Sequence, residues 1–208
     1  MDVAITMRTP GHDEELAAGF LFTEGLIAAG DVAGFELGHP ADVAHPDNEV
    51  AVRLRGPFDV AAVPARSFVA TSSCGICGKA SLDAVALRCP PVTPGPVVGR
   101  CTIVPIPDAL RAAQAMFEAT GGLHAAGLFT PGGELLRLRE DIGRHDALDK
   151  LVGASLLAGE LPLSDRIVLV SGRLSFELVR KAGAPAPRSS APSPRRRTSP
   201  SRRQSVSG

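Results

Sequence analysis

Strand and helix patterns alternate through the second half of the chain, and their order limits the possible folds more than any other feature. The predicted order is strand, strand, helix, strand, helix, over residues 123–130, 134–138, 146–157, 167–170 and 175–182. The run at 167–170 is entirely apolar, which is typical of a strand buried in the middle of a sheet. Because a helix with one apolar stripe must pack that stripe on another layer, this order predicts a layered α/β domain with a mixed sheet.

The first half of the chain predicts shorter elements. Residues 3–9 alternate apolar and polar side chains and indicate a strand, and the acidic residues from Asp13 onward favour a helix start. Residues 30–48 are rich in glycine, proline and aspartate and predict a loop. The remaining elements are predicted at residues 50–54 (a strand), 89–107 (an extended connector with six prolines) and 108–119 (a helix).

Two of the four cysteines share one short loop, Cys74-Gly-Ile-Cys77-Gly. Residues 67–71 predict a strand that runs into this loop, and residues 81–87 predict a helix after it. The start of a helix is electropositive, so this position lowers the thiol pKa and makes a thiolate available near neutral pH. Such a pair can bind a metal ion, exchange a disulfide or carry sulfur as a persulfide.

Polar residues concentrate in two further blocks, residues 139–146 with Asp149 and Lys150 one turn later, and residues 171–177. Each block lies where a predicted strand ends and a predicted helix begins, which is where α/β sheets bind ligands. Helix N-termini together with Arg144 and Arg173 suit phosphate groups. The alternative is that these charges are helix caps and solvated ion pairs. His124, alone in an apolar strand, is more typical of a hydrogen-bonded core histidine.

Composition excludes several classes of protein. Eight phenylalanines and no tryptophan or tyrosine leave no platform for stacking bases, so no nucleic-acid partner is expected. A length of 208 residues and 44% hydrophobic content suit one domain with a small lobe. No secretory signal opens the chain, and no apolar run reaches the length of a membrane span. The sparse cysteines suit a reducing compartment, so we expect a cytoplasmic protein without a membrane partner.

The final segment, residues 184–208, differs from the rest of the chain. It holds six of the 22 basic residues and no acid, which leaves 16 basic against 22 acidic residues in residues 1–183. With seven serines, five prolines and one large apolar residue, it cannot bury enough surface to fold. It is either an arginine-rich arm for RNA or another polyanion, or the out-of-frame reading of a GC-rich gene. The expected division is an N-terminal lobe (1–65), an α/β domain (66–183) and this disordered tail.

Five blocks of the sequence resemble the FdhD family and follow the family's order. They are Thr9–Ile27 (TPGHDEELAAGFLFTEGLI), the SCGICG loop from Ser73, GGLHAA from Gly121, Glu140–Lys150 (EDIGRHDALDK) and Ser171–Glu177 (SGRLSFE). A lone cysteine pair would be weak evidence, whereas five ordered blocks are specific, and the resemblance covers nearly everything from residue 5 to residue 183.

The resemblance implies an accessory sulfurtransferase that formate dehydrogenase needs for activity. It implies that Cys74 takes sulfur from a cysteine desulfurase as a persulfide, with Cys77 as an auxiliary or resolving thiol. The sulfur would pass to a molybdenum bis(guanine dinucleotide) cofactor, bound as a substrate. From the polar blocks themselves, we expect Arg144, His145 and Arg173 to contact this cofactor. No permanently bound cofactor is expected. The implied fold is a three-layer α/β/α arrangement related to cytidine deaminases, with a small N-terminal lobe, and the implied assembly is a homodimer.

The chain departs from the family's pattern in three places. It is expected to lack an N-terminal segment. Asp146 stands where the family usually has asparagine, which adds a charge close to the predicted ligand cleft. The resemblance stops at Ala182-Gly183, where the family continues with further strands, and this abrupt end favours the out-of-frame interpretation of the tail. An inactive, truncated family member is therefore one alternative.

Three other classes compete for the cysteine pair. A structural zinc site would need two more ligands, and the candidates are Cys89, Cys101, His124 and His145. A zinc deaminase would need a proline before the cysteine pair, where this chain has Ser73. A thiol-disulfide oxidoreductase also suits a strand, a cysteine pair and a helix in that order, so it stays open.

Overall fold

The computed structural model describes residues 2–38, 48–60, 68–69 and 94–184, with the backbone alone at 68–69. The strands are β1 (Ala4–Ile5), β2 (Val32–Leu37), β3 (Val50–Leu54), β4 (Phe68–Val69), β5 (His124–Phe129), β6 (Leu135–Asp141) and β7 (Ile167–Val170). The helices are α1 (Asp13–Thr23), α2 (Arg100–Ile103), α3 (Ile106–Ala113), α4 (Ala115–Thr120), α5 (Arg144–Leu157) and α6 (Phe176–Gly183). The helix predicted at residues 81–87 and the tail from residue 185 onward lie outside the described residues.

A three-stranded antiparallel sheet forms the centre of the described fold, in the order β6-β5-β7. Strand β5 is buried on both faces because its side chains alternate between two apolar clusters. Ala126 and Leu128 pack with residues of α5, while Ala125 and Phe129 pack with residues of α3. Helices therefore cover both faces of this sheet, and the predicted α/β fold class is confirmed.

Most predicted elements of the second half are confirmed to within two residues. The strand at 167–170 has the predicted ends, the β5–β6 hairpin forms, and α5 begins two residues before its predicted start. Among the described strands β5 is the middle one and β7 lies beside it, so the central position of β7 stays a prediction. Its apolar side chains pack on both faces of the sheet, Val168 and Val170 on one face and Ile167 and Leu169 on the other.

The prediction of a loop over residues 30–48 is wrong where strand β2 forms. This strand pairs antiparallel with β3, from Val32 opposite Leu54 to Leu37 opposite Val50. Val32 and Phe35 also pack against the apolar side of α1. Long-range pairing and packing thus override a local composition that favours a loop.

The proline-rich connector and the helix after it also differ from prediction. Residues 100–113 form α2 and α3, because Pro105 and Pro107 occupy the first turn of a helix, where a missing N–H costs nothing. The single helix predicted at 108–119 is broken at Gln114 into α3 and α4. Glu140 explains the break, since its carboxylate accepts hydrogen bonds from the backbone N–H groups of Met116 (3.0 Å) and Phe117 (2.8 Å) at the start of α4.

Helices α1 and α5 cross with their backbones in contact. A Cβ atom added to Gly19 would overlap the backbone carbonyl of Asp149, and one added to Gly153 would overlap the carbonyl of Glu15. Glycine is therefore required at both positions, and helix α1 and helix α5 share one interface. Within the described ranges, no helix is both long and apolar enough to cross a bilayer.

We expect Gly19→Ala and Gly153→Ala each to lower the free energy of unfolding by about 1–3 kcal/mol or more, because the helices must move apart to admit a methyl group. Alanine favours a helix over glycine by about 1 kcal/mol, so helix propensity alone would make both variants more stable. A lower free energy of unfolding would therefore report the close contact between the helices. Gly56→Ala is the matched control, since nothing lies within 4 Å of its added Cβ. Urea unfolding of the three variants measures the difference, and equal midpoints would contradict the close crossing.

Candidate functional site

The two predicted polar blocks meet where α5 and α6 begin. Arg144 is the first residue of α5, and the loop at 171–175 joins β7 to α6. A Cβ atom added to Gly172 would lie 3.0 Å from Cβ of Arg144 and 3.4 Å from Nδ1 of His124. Gly172 therefore lets this loop approach the start of α5 and the first residue of β5.

His145 lies between the two helix starts. Its Nε2 atom is 3.5 Å from Oγ of Ser175 and 3.4 Å from a carboxylate oxygen of Glu177. Burial lowers the pKa of His145 below its usual value, and the positive charge of Arg144 adds to this, although Glu177 acts in the opposite direction. At neutral pH His145 is thus a neutral imidazole, which can donate one hydrogen bond to a ligand and accept another.

Ser175 fixes the first turn of α6. Its hydroxyl accepts a hydrogen bond from the backbone N–H of Leu178 at 3.3 Å, which is the usual arrangement of a helix N-cap. Arg173, two residues earlier, is exposed and makes no hydrogen bond or ion pair with any residue in the described part of the chain. Its guanidinium is therefore available to an anion in solution.

Asp141 and Lys150 form a buried ion pair instead of a ligand site. Nζ of Lys150 lies 2.6 Å from a carboxylate oxygen of Asp141, and both side chains are buried. Asp141 also accepts hydrogen bonds from the backbone N–H groups of Thr9 and Gly143, and Lys150 donates to the carbonyl of Thr9. The pair thus anchors the segment before α1 to the start of α5.

A second buried cluster joins α1, α5 and α6. Nζ of Lys181 lies 2.7 Å from Asp149 and 3.1 Å from Glu24, and it donates to the hydroxyl of Thr23 at 2.9 Å. Burial opposes the charge on Lys181, but Asp149 and Glu24 raise its pKa above the usual value, so the ammonium stays charged. Arg180 also pairs with Glu24, at 2.6 Å.

The structure therefore separates the charged residues of the two blocks into two groups. The structural group makes ion pairs and helix-capping hydrogen bonds, and it consists of Glu140, Asp141, Asp149 and Lys150. The second group lies at the loop between β7 and α6, which carries Arg173 and approaches Arg144 and His145. Sequence reasoning missed the threonines at positions 6, 9 and 23, which serve as hydrogen-bond partners. No local signal marks them, because their partners lie more than 100 residues away.

The cysteine pair at 74 and 77, together with Cys89, lies outside the described residues. The backbone just before it is placed by strand pairing, since β4 ends five residues before Cys74 and pairs in parallel with β1. Thr6, the residue after β1, donates to the carboxylate of Asp146 in the first turn of α5. The segment that leads to the cysteine pair is thus connected to the start of α5.

The fourth cysteine, Cys101, lies within the described residues and is a free and exposed thiol on α2. Among the residues that the structure describes, no group of three or more His, Cys, Asp or Glu side chains is arranged to hold a metal ion. The zinc candidates His124, His145 and Cys101 therefore do not form such a group by themselves.

Comparison with known proteins identifies the family. The model of the FdhD/NarQ family matches residues 1–186, so the chain belongs to this family. The "Sulfur carrier protein FdhD" of Streptomyces avermitilis is 49% identical over 191 residues, which cover 86% of this chain and 66% of that protein. Its namesake from Mycolicibacterium paratuberculosis is 47% identical over 196 residues, covering 88% of this chain and 71% of that protein.

A solved structure supports the fold. The crystal structure of a formate dehydrogenase accessory protein from Desulfotalea psychrophila superposes with a TM-score of 0.57 at 22% identity, over 86% of this chain and 64% of that one. This likeness concerns the fold alone. The chain spans about two thirds of the length of the Streptomyces relative and of this solved structure.

The division of charged residues predicts that two substitutions differ strongly in their effect on stability. Lys150→Met should lower the free energy of unfolding by about 3–5 kcal/mol, because it leaves Asp141 buried without its cation. Arg173→Ala should change it by less than about 0.5 kcal/mol, since the side chain is exposed and unpaired within the described residues. Chemical unfolding of both variants gives the comparison. A large loss for Arg173→Ala would place this residue in the structural group.

Proposed function

We propose that this chain is a sulfurtransferase that carries sulfur from a cysteine desulfurase to the molybdenum cofactor of formate dehydrogenase, in the cytoplasm and as a homodimer. Family membership and relatives named sulfur carrier proteins support the sulfur chemistry. The observation that carries the proposal is the meeting of two helix starts with Arg144, His145 and Arg173, beside the strand pair that leads to Cys74.

Loading of the carrier is a thiol exchange. The thiolate of Cys74 attacks the outer sulfur of a persulfide on the desulfurase, and the bond between the donor's two sulfurs breaks. The donor cysteine leaves as a thiolate, and Cys74 holds the outer sulfur with its proton as a persulfide. One S–S bond forms as another breaks, so no external oxidant or reductant is consumed.

Cys77 supplies a way to release the sulfur. Its thiolate attacks the inner sulfur of the Cys74 persulfide, and a Cys74–Cys77 disulfide forms as hydrosulfide leaves. The sulfur of Cys77 is oxidised and the transferred sulfur is reduced, while the sulfur of Cys74 exchanges one S–S bond for another, so the step balances. The hydrosulfide is then available to the molybdenum of the substrate cofactor, and a cellular thiol reductant restores the pair.

The residues at the helix starts suit the phosphates of the guanine dinucleotide. The starts of α5 and α6 present backbone N–H groups and the positive ends of their dipoles. Arg173 and Arg144 add cations for charge-assisted hydrogen bonds, and neutral His145 adds a further donor or acceptor. Gly172 keeps the loop free of a side chain at its closest approach to Arg144.

Strand pairing supports delivery between these two sites. Val69 pairs with Ile5, and Cys74 follows Val69 by five positions, a distance of at most about 18 Å for extended chain. Thr6, next to Ile5, contacts Asp146 in the first turn of α5. The short stretch of chain after Val69 therefore limits how far the carrier thiol can lie from the proposed phosphate contacts.

Persulfide loading tests the carrier. After incubation with a cysteine desulfurase and cysteine, mass spectrometry should find one added sulfur on the peptide that contains Cys74. Cys74→Ala should abolish this mass, and Cys77→Ala should retain at least part of it. Cys101→Ala is the matched control and should load like the parent, since this exposed thiol lies outside the pair. Full loading of Cys74→Ala would assign the sulfur to another residue.

Binding of GDP tests the phosphate contacts separately. Titration calorimetry should show about a tenfold or greater loss of GDP affinity in Arg173→Ala, because a hydrogen bond to a charged group contributes about 1.5–3 kcal/mol. Arg166→Ala is the control, since Arg166 pairs with its neighbour Asp165 beyond the other end of β7. Equal affinity in the two variants would remove Arg173 from the proposed site.

A further inference from the structure

Three buried aspartates lie around the start of α5, but two lysines accompany them. Asp141 pairs with Lys150 at 2.6 Å, and Asp149 pairs with Lys181 at 2.7 Å. Asp146 is buried as well, with 7% of its surface exposed, and forms no ion pair within the described residues. Its side-chain partner is the hydroxyl of Thr6, at 3.1 and 3.3 Å from its two oxygens.

The groups that face Asp146 explain its protonation. Asp141 approaches from the end of β6, Asp149 from α5 itself and Lys181 from α6. Burial raises the pKa of Asp146 most, the two neighbouring carboxylates raise it further, and the Thr6 hydrogen bond and Lys181 lower it. The resulting pKa is about 7.

Within the part of the chain that the structure describes, Asp146 is covered on one side by the short strand β1. Strand β1 has two residues and pairs over two positions with β4, and Ile5 and Met7 are exposed on either side of Thr6. On its other sides Asp146 faces β6, α5 and α6, which belong to the packed core. Short elements with few contacts open most readily, so water reaches Asp146 most easily when β1 lifts.

We propose that Asp146 is a positioning residue that couples the seating of β1 on the first turn of α5 to the uptake of one proton. With β1 seated, the carboxyl is buried and neutral; with β1 lifted, it is hydrated and ionised. Because β1 pairs with the strand that precedes Cys74, the same proton would control how the carrier loop is held. This consequence rests on the proposed function, whereas the coupling itself does not.

The direction of the pH dependence follows from linkage. The seated state keeps its proton up to a pKa of about 7, whereas in the lifted state the pKa returns to the ordinary value of 3.8. Between these two values the lifted state binds fewer protons, so it is favoured increasingly as the pH rises, and the effect levels off above pH 7. Strand β1 is therefore held on α5 most strongly at acidic pH and less strongly as the pH approaches 7.

Hydrogen–deuterium exchange of the full chain tests the coupling. After correction for the intrinsic pH dependence of exchange, the protection of residues 3–9 should fall by about tenfold or more from pH 5 to pH 7. Asp146→Asn keeps the size and the acceptor but cannot ionise, so its protection should change by less than about twofold. Residues 124–129 of β5 are the internal control. An equal pH dependence in parent and variant would overturn the proposal.

Two further measurements keep the test decisive if Asp146→Asn folds poorly. Thr6→Val should lower the protection of residues 3–9 at both pH values, because it removes the hydrogen bond and leaves the carboxyl in place. Infrared difference spectra of the unaltered chain should show a protonated carboxyl that ionises near pH 7, and its absence at pH 6 would refute the coupling. Neither measurement involves sulfur, so a failure of Cys74 to load would leave them unaffected.

Discussion

The close crossing of α1 and α5 is the constraint on which the rest of the described structure depends. Two glycines, Gly19 and Gly153, meet backbone to backbone, so no side chain separates the helices. This contact brings the residues around α1 onto the polar side of α5. Without it, the charged side chains of α5 would either stay in water or lie unpaired among apolar side chains, and an unpaired buried charge is costly.

The buried ion pairs are possible only in this geometry. Lys150 needs both Asp141 and the carbonyl of Thr9, and Lys181 needs Asp149 together with the end of α1. Each lysine also donates to a threonine more than 100 residues away, Lys150 to the carbonyl of Thr9 and Lys181 to the hydroxyl of Thr23. Such additional hydrogen bonds help a buried charge to be tolerated. The same contacts orient the starts of α5 and α6, and so they prepare the surface where the anion contacts are proposed.

The candidate site is therefore a small part of a larger polar region. Of the charged residues in the two blocks, most hold helices together, and those around Gly172 are the proposed ligand contacts. Asp146 lies between the two groups, because it is buried like the structural residues but has a hydroxyl as its partner.

The sequence by itself determined the α/β class, the hairpin of β5 and β6, the ends of β7 and the family, because these depend on local periodicity, turn residues and ordered motifs. Only the tertiary structure decided which charges are buried pairs, since Thr9 and Thr23 find their partners across the helix crossing. The tertiary structure also decided that β2 is a strand, because it pairs with β3. It likewise decided that the helix breaks at Gln114, because the distant carboxylate of Glu140 caps the next helix. Local patterns record propensity, whereas long-range contacts determine which polar groups lose water, and one chain segment alone does not contain that information.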